Sequence, residues 1–405
     1  AIVPLRESGA RTLELMDRAS LAAVVGRPGV PERIPGLPPE AAALLLEYQE
    51  STDADLAGRL AGCHDLLPSL SLQSEPIFTR NPAQQADLWA VRKGLIPSVG
   101  ARRQRGTAMI IEDVVFPLEA LAEGVRELQG MCAGHRYDDA IVFGHARDGN
   151  LHFVLNQRFD EPEAVQGFDE FMNELADLVA TRYGGALKGE HSTGRNMAPF
   201  LELEWGPEAV AVMRRLKELV DPEGLLNPGV LINDDPQAHI THLKSLEPVE
   251  EVVDPCIECG FCERLCPSRD LTRTPRQRIV LRREMTRLRR EEPGSNLLRQ
   301  LEREFQYSAV DTCAADGMCA TACPVGIDTG LLVKHLRDEA HPGWRRRLAR
   351  TMAGHFGTVA KAARLGLRAA HATRTILGDR GAARVARTAG RLGLDLPLGL
   401  PDLPR

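Results

Sequence analysis

Apolar and polar positions change period along this chain, and the changes mark its elements. Ala41–Glu50 holds a short apolar run, AAALLLEYQE, which predicts a strand. Asn81–Lys93 repeats its apolar residues at helical spacing behind an Asn-Pro start, an N-cap followed by a first-turn proline. Ala108–Phe116 (AMIIEDVVF) is rich in β-branched residues and predicts a strand, and Leu118–Met131 predicts a second helix. Ala140–Asn156 reads as a hairpin turning at Asp148-Gly149, and Phe168–Tyr183 as a long amphipathic helix stopped by Gly184-Gly185. Strands interspersed with helices predict an α+β fold, an antiparallel sheet with helices on one face.

The pattern changes after about residue 240. Asp234–Asp254 (DDPQAHITHLKSLEPVEEVVD) is polar and contains proline, and reads as a linker. Residues 250–343 show little β-pattern; Arg276–Arg290 and Ser295–Phe305 predict helices, so this part is expected to be all-α. Residues 344–405 are Ala/Arg/Leu-rich helix with repeated glycine breaks. The predicted domains are therefore 1–240, 250–343 and 344–405, within reach of a 405-residue chain. No GxGxxG follows a strand and no P-loop is present, so no nucleotide site is visible in the chain.

Composition narrows the function classes. With 43% hydrophobic and 26% charged residues, wholesale disorder is excluded. The net charge of −6 hides an asymmetry: Trp344–Arg405 carries 13 Lys and Arg against 3 Asp and Glu. Such a basic segment suits packing on another domain, or peripheral contact with an anionic membrane or an acidic partner. Its low aromatic content argues against nucleic acid. No apolar run approaches the roughly 20 residues that span a bilayer. Nine cysteines are present and seven lie between Cys256 and Cys323, which points to a metal cluster in a reducing compartment. The expected location is the cytoplasm, with the inner membrane face as a peripheral docking place. The chain begins at Ala1 without Met, and is expected to be a fragment or one subunit of a split enzyme.

The cysteines form two runs, Cys256-x2-Cys259-x2-Cys262-x3-Cys266-Pro267 and Cys313-x5-Cys319-x3-Cys323-Pro324. Thiolates suit iron–sulfur clusters, and in two-cluster proteins the cysteine before proline serves the other cluster. That rule assigns Cys256, Cys259, Cys262 and Cys323 to a first 4Fe-4S cluster, and Cys313, Cys319 and Cys266 to a second. The second run lacks a cysteine where Asp316 stands, so the second cluster is either 3Fe-4S, or 4Fe-4S with Asp316 or solvent on its last iron. The spacing resembles the helical ferredoxin domain of succinate dehydrogenase iron–sulfur subunits. Seven cysteines overshoot a structural zinc site. Cys63 and Cys132 stand apart and read as plain buried thiols.

A second constellation lies in FGHARDGNLHF. A two-residue turn at Asp148-Gly149 pairs His145 with His152, with their side-chain roots about 5 Å apart on one face. Two imidazoles so placed share a metal ion, and Glu190 in LKGEHSTGR is the candidate third ligand. Two His and a carboxylate leave metal positions open to a substrate. If Glu190 and His191 are extended they point to opposite faces, and His191 is then a base for a substrate hydroxyl. The plainer alternative is a cross-strand histidine pair in a wet sheet.

These motifs resemble a known family. GHARDGNLHF, LKGEHSTGRNMAPF and LLNPGVL are similar to the ferredoxin-like C-terminal substrate domain of flavin-linked D-lactate, glycolate and D-2-hydroxyglutarate dehydrogenases. Together with CIECGFCERLCPSRDLTRTPRQR and TCAADGMCATACPVGIDTG, they resemble D-lactate dehydrogenases that fuse flavin and iron–sulfur modules. The resemblance implies that His145, His152 and Glu190 hold zinc or a similar divalent ion, and that His191 takes the hydroxyl proton. It implies that Asn150 contacts substrate, that Arg92 grips the substrate carboxylate, and that Asn227 and Glu190 lie toward FAD. Guanidinium holds a carboxylate bidentately, which suits Arg92 to that task. Some 2-hydroxyglutarate enzymes of the family carry a lysine two positions before the aspartate matching Asp113; Ile111 stands there, which favours lactate over a dicarboxylate.

The expected function is oxidation of a small D-2-hydroxyacid, D-lactate foremost, to the 2-oxoacid. FAD would be held mainly by a flavin domain or subunit not visible in this sequence, with electrons passing through two clusters to a quinone or cytochrome acceptor. Alone, the chain is expected to be inactive. Two other readings stay open: an iron–sulfur electron-transfer subunit of a split glycolate or D-2-hydroxyglutarate dehydrogenase without its own catalysis, and a metallohydrolase.

Overall fold

A computed structural model describes residues 1–391 apart from residues 28, 29 and 32. Contacts divide the chain into two compact units, residues 1–333 and 334–405.

The sheet half of the first unit contains α1 (Ile2–Glu7), β1 (Thr12–Met16), α2 (Arg18–Ala23), β2 (Ala43–Glu47), α3 (Asp53–Leu66), α4 (Pro82–Lys93), α5 (Leu95–Arg102) and β3 (Thr107–Val115). It continues through α6 (Leu121–Gly134), β4 (Ile141–His145), β5 (Asn150–Arg158), α7 (Pro162–Ala176), α8 (Gly194–Met197) and α9 (Leu201–Val220). The helix starts follow local chemistry. Asn81 Oδ1 accepts from the Ala83 amide at 2.9 Å ahead of Pro82, so α4 begins where the Asn-Pro pair predicted. The helix expected to end near Tyr183 passes after α7 into a wider turn over Asp177–Arg182 and stops at Gly184, whose φ is 60°.

The five strands form one antiparallel sheet in the order β2-β1-β4-β5-β3. Alternation along each strand sorts its residues onto two faces. One face presents Leu13, Leu15, Val142, Leu151, Phe153 and Leu155 to the helical layer, where Leu128 of α6 and Phe171 and Met172 of α7 are buried. Each fully buried side chain of this size contributes about 1.5–3 kcal/mol. The other face carries a smaller apolar cluster in which Ile141, Phe143 and Val154 meet Leu21 of α2, Val91 of α4 and Leu95 and Val99 of α5. Beside that cluster the same face turns polar, and the candidate site lies there.

The hairpin register differs from the sequence expectation. Phe143, not His145, lies opposite His152. The connection is a single tight turn over Ala146–Asp148 closed by Gly149 at φ 74°, two residues longer than the Asp-Gly turn predicted. Glycine is required at 149, because a Cβ on its Cα would lie 2.1 Å from the Phe116 carbonyl oxygen and its φ is positive.

The cysteine-rich half of this unit contains α10 (Pro275–Glu291), α11 (Asn296–Phe305), α12 (Met318–Ala322) and the start of α13 (Thr329–Glu339), with no strand among the described residues. The segment read as a linker is irregular but packed. His239 is 2% exposed with Nε2 2.6 Å from Asp169, and Val253 is fully buried. The cysteine loop docks on the sheet half through α5: Arg103 donates to the Asp254 and Cys256 carbonyls at 2.6 and 2.8 Å, and Ile257 fills the space beside Gly100.

In the second unit, α14 (Gly343–Gly354) and α15 (Phe356–Arg391) are separated by His355, and α15 is broken at Gly378. Part of the predicted basic extension, residues 392–405, lies outside the described residues. No described helix is long and apolar enough to cross a membrane.

Candidate functional site

Strand pairing brings one polar row across the sheet. Glu14 of β1 lies opposite His145 of β4, and His152 of β5 opposite Asp113 of β3, all on the face away from the main helical layer. His145 and His152 are diagonal neighbours rather than opposed, but an offset of two keeps them on one face. Their rings meet edge to face with centroids 5.3 Å apart.

Glu190 comes to this row on the loop that follows Gly184-Gly185. That loop crosses the edge of β3 and is fastened from both sides. Lys188 pairs with buried Glu112 on one face of the strand. On the other face, buried Asp113 Oδ2 accepts the amides of Gly189, Glu190 and His191 at 3.0, 2.7 and 2.8 Å. Asn150 donates to the other oxygen of Asp113. Gly189 is required where it stands, because a Cβ would lie 2.1 Å from Asn150 Nδ2. Burial opposes ionisation of Asp113, but the Glu190 amide, Asn150 and the His191 amide outweigh it and hold its carboxyl below the ordinary value.

The loop therefore does not run extended, and Glu190 and His191 are not sent to opposite faces as predicted. Three amides wrapped on one carboxylate turn both side chains to the same side, and Ser192 takes φ 65° just after them. Glu190 Oε1 lies 3.1 Å from His145 Nε2 and 3.0 Å from His152 Nε2. His191 stacks on His152, with ring centroids 4.8 Å apart and planes 9° off parallel.

These three residues suit a divalent ion. Their ligand atoms lie within 4.8 Å of one another, and ligand atoms bound to a zinc-like ion at about 2.1 Å stand roughly 3.0–3.4 Å apart. Glu14 Oε1 holds His145 Nδ1 at 2.5 Å, which fixes the ring and leaves Nε2 to face Glu190. This hydrogen bond raises the His145 pKa against the effect of burial. Burial lowers the His152 pKa, which favours the neutral, metal-binding imidazole. His152 Nδ1 is buried without a hydrogen-bond partner, 3.7 Å from Asp113. The site opens outward: the side chains of His145, His191 and Glu190 are 40%, 44% and 47% exposed.

Arg92, in the last turn of α4, joins the row through Glu14. Its Nε donates to Glu14 Oε2 at 2.7 Å, and its guanidinium lies 4.3 Å over the Phe143 ring. Burial works against the Glu14 charge, but hydrogen bonds from His145 and Arg92 prevail and keep its pKa low. Ile111 is two residues from Asp113 on the same face and packs into the apolar cluster. Asn150 is 7% exposed; its Nδ2 donates to Asp113 and the Val114 carbonyl, while its Oδ1 is buried without a hydrogen-bond partner. Asn227 stands apart on an exposed turn after α9, at φ 43°, with no hydrogen bond to the row among the described residues.

Sequence reading missed Glu14 and Asp113 as partners of this site. The available signal was a carboxylate inside an otherwise apolar strand, in TLELM and in IIEDVV.

Six of the seven clustered cysteines fall into two groups. Burial pushes the Cys262 thiol up to about 12, and the neighbouring Cys256, Cys323 and Cys319 add to the shift. Cys256 is likewise raised by burial and feels Cys323. The last cysteine of the second run thus stands beside the first run. A small cavity is lined by Cys266, Cys313, Cys319, Asp316 and Arg278, the three thiols left for a second cluster together with the aspartate between them. With their pKa values raised by burial, Cys256 and Cys262 need a metal to become thiolates near neutral pH, which fits iron–sulfur ligation. Cys63 and Cys132 are buried away from both groups.

Comparison with known proteins agrees with this division. Residues 1–231 match the FAD linked oxidases, C-terminal domain, and residues 252–327 match the 4Fe-4S dicluster domain. Glycolate oxidase subunit GlcD of Bacillus subtilis is 27% identical over 56% of this chain and 46% of its own length. A D-lactate dehydrogenase of Anaerostipes hadrus is 34% identical over 36% of this chain and 30% of its own. A D-2-hydroxyglutarate dehydrogenase of Haemophilus influenzae is 25% identical over 60% and 28%. The chain spans less than half the length of these relatives.

Proposed function

Since the chain belongs to the FAD-linked oxidases by their C-terminal domain, joined to a 4Fe-4S dicluster domain, we propose that it is the substrate-and-metal part of a D-2-hydroxyacid dehydrogenase. D-lactate is the proposed substrate and pyruvate the product. The observation that carries this reading is the convergence of His145, His152 and Glu190 with His191 stacked beside them. The proposed domains are the substrate domain 1–240, the iron–sulfur domain 250–343 and the basic extension 344–405.

His145, His152 and Glu190 would hold a divalent ion, zinc or similar, which supplies a Lewis acid to orient and acidify a substrate hydroxyl. FAD from a partner domain or subunit supplies the hydride acceptor, and Asn227 is the residue proposed to lie toward it. The chain's own residues do the rest. His191 is the proposed acceptor of the hydroxyl proton, a reading supported by its exposure and its position next to the ligand set. Arg92 engages Glu14 only through Nε, which leaves its Nη groups to bind the substrate carboxylate. Asn150 and Asp113 position the His191 loop. Ile111 offers no charge to a second carboxylate, which favours lactate over 2-hydroxyglutarate.

Cys256, Cys259, Cys262 and Cys323 are proposed for one cluster and Cys266, Cys313 and Cys319 for another. Clusters that take electrons singly suit a relay from a two-electron flavin to a quinone or cytochrome. The proposed location is the cytoplasm, with the basic helices against the inner membrane face.

Metal analysis tests the reading. The purified chain is expected to hold one non-iron divalent ion, lost in His145→Ala with the iron retained. A pure electron-transfer subunit would hold iron alone. Added to its flavin partner, the chain should support oxidation of D-lactate. Hydrolysis of esters or amides by the chain without flavin would instead favour a metallohydrolase.

A further inference from the structure

Arg278 is 1% exposed, a large cation buried in the cysteine-rich half. Its place is set by the start of α10. Thr274 and Gln277 close a reciprocal capping box around Pro275, which fixes the first turn and aims the next residue inward. Arg278 Nε donates to the Ala309 carbonyl at 2.8 Å, and Nη2 donates to Ser268 Oγ at 3.4 Å. Nη1 points at Cys266 Sγ, 3.8 Å away. The side chain lines the cavity shared by Cys266, Cys313 and Cys319. No carboxylate pairs with it among the described residues. Its neighbour on the same helix, Arg283, is also buried but pairs with Glu258 at 2.6 Å.

A guanidinium stays charged in a protein, and a buried charge is costly unless it meets an opposite one. The atoms Arg278 bonds are a neutral carbonyl, hydroxyl and thiol, and Asp316, which lines the same cavity, forms no ion pair with it among the described residues. The missing negative charge is what an iron–sulfur cluster on those thiolates brings. We propose that Arg278 is the counter-charge of a cluster held by Cys266, Cys313 and Cys319, and that it raises that cluster's reduction potential.

The proposal rests on the second cluster lying in this cavity. Reduction adds one electron and no proton, so the cluster becomes more negative by one charge. A fixed cation close to a ligating sulfur stabilises the reduced form more than the oxidised form.

The test is an anaerobic redox titration of the full chain with dithionite, after iron–sulfur reconstitution, followed by electron paramagnetic resonance. In Arg278→Gln the ratio of reduced to oxidised second cluster at fixed potential should fall at least tenfold, a shift of about 59 mV for one electron. The first cluster should not move, and Arg278→Lys should lie between. An unchanged midpoint in both variants with full iron content overturns the proposal, as does an equal shift of both clusters. If Arg278→Gln fails to hold the second cluster, Arg278→Lys decides: retention near the wild-type midpoint supports a charge role, and loss there too shows that shape alone matters. Wild-type protein with iron and acid-labile sulfide for only one cluster would remove the underlying reading itself.

Discussion

His145 and His152 sit two residues out of register across the β4–β5 hairpin, yet Glu190 Oε1 lies within 3.1 Å of a ring nitrogen of each. Two imidazoles alone are a weak divalent site, and Glu190 supplies the third ligand. His145→Ala is therefore expected to release the divalent ion, and Glu190→Gln to weaken it while leaving both rings in place. Inductively coupled plasma analysis of the two variants checks this; full metal occupancy in His145→Ala would remove the ion from this site.

Glu14 holds His145 from behind and Arg92 from the side. Removal of such an outer partner costs roughly 10–100-fold in metal affinity. Glu14→Gln should show that loss in a competitive chelator titration, with the fold retained. In the flavin-coupled assay it should also raise KM, because Arg92 loses the partner that orients it. An unaltered affinity would mean that the His145 ring is held well enough by packing alone.

Much of this arrangement was legible in the sequence and some was not. The Asn81-Pro82 start, the β-branched run to Val115 and the cysteine spacings have local causes, and local patterns reveal them. The hairpin register was misread because Asp148-Gly149 resembles a two-residue turn. The longer turn packs Gly149 against the Phe116 backbone, whose amide donates to the Gly149 carbonyl at 3.0 Å, a contact from far along the sequence that the local pattern does not show. β1 was missed because it is five residues long and has Glu14 at its centre, and an acid in a short strand looks like surface until a histidine and an arginine are seen to meet it. Asp113 was named only as a marker for Ile111; three amides that arrive from residues 189–191 give it its role.

That role carries its own prediction. Asp113→Asn keeps the shape but removes the charge on which three amides converge. Hydrogen bonds to a charged group are worth about 1.5–3 kcal/mol. The variant should lose stability of that order in denaturant unfolding, and hydrogen exchange should rise at residues 189–191. Gly189→Ala should loosen the same loop by forcing Asn150 aside. Protection unchanged in both variants would mean that Lys188 and Glu112 suffice to hold the loop.

The last prediction concerns α14. Trp344, Leu348 and Met352 recur at helical spacing and are 63%, 52% and 45% exposed. Arg345, Arg346, Arg347 and Arg350 flank them. A helix with an apolar stripe beside clustered arginines suits the surface of an anionic bilayer, where each basic residue contributes about 1 kcal/mol. The full chain should co-sediment with vesicles containing phosphatidylglycerol and not with pure phosphatidylcholine, and binding should weaken as salt rises. Leu348→Asp should abolish it by placing a negative charge in the stripe, with the metal and iron content unchanged. Equal binding to neutral vesicles would remove the electrostatic part, and no binding to either would leave α14 as a packing surface for another protein.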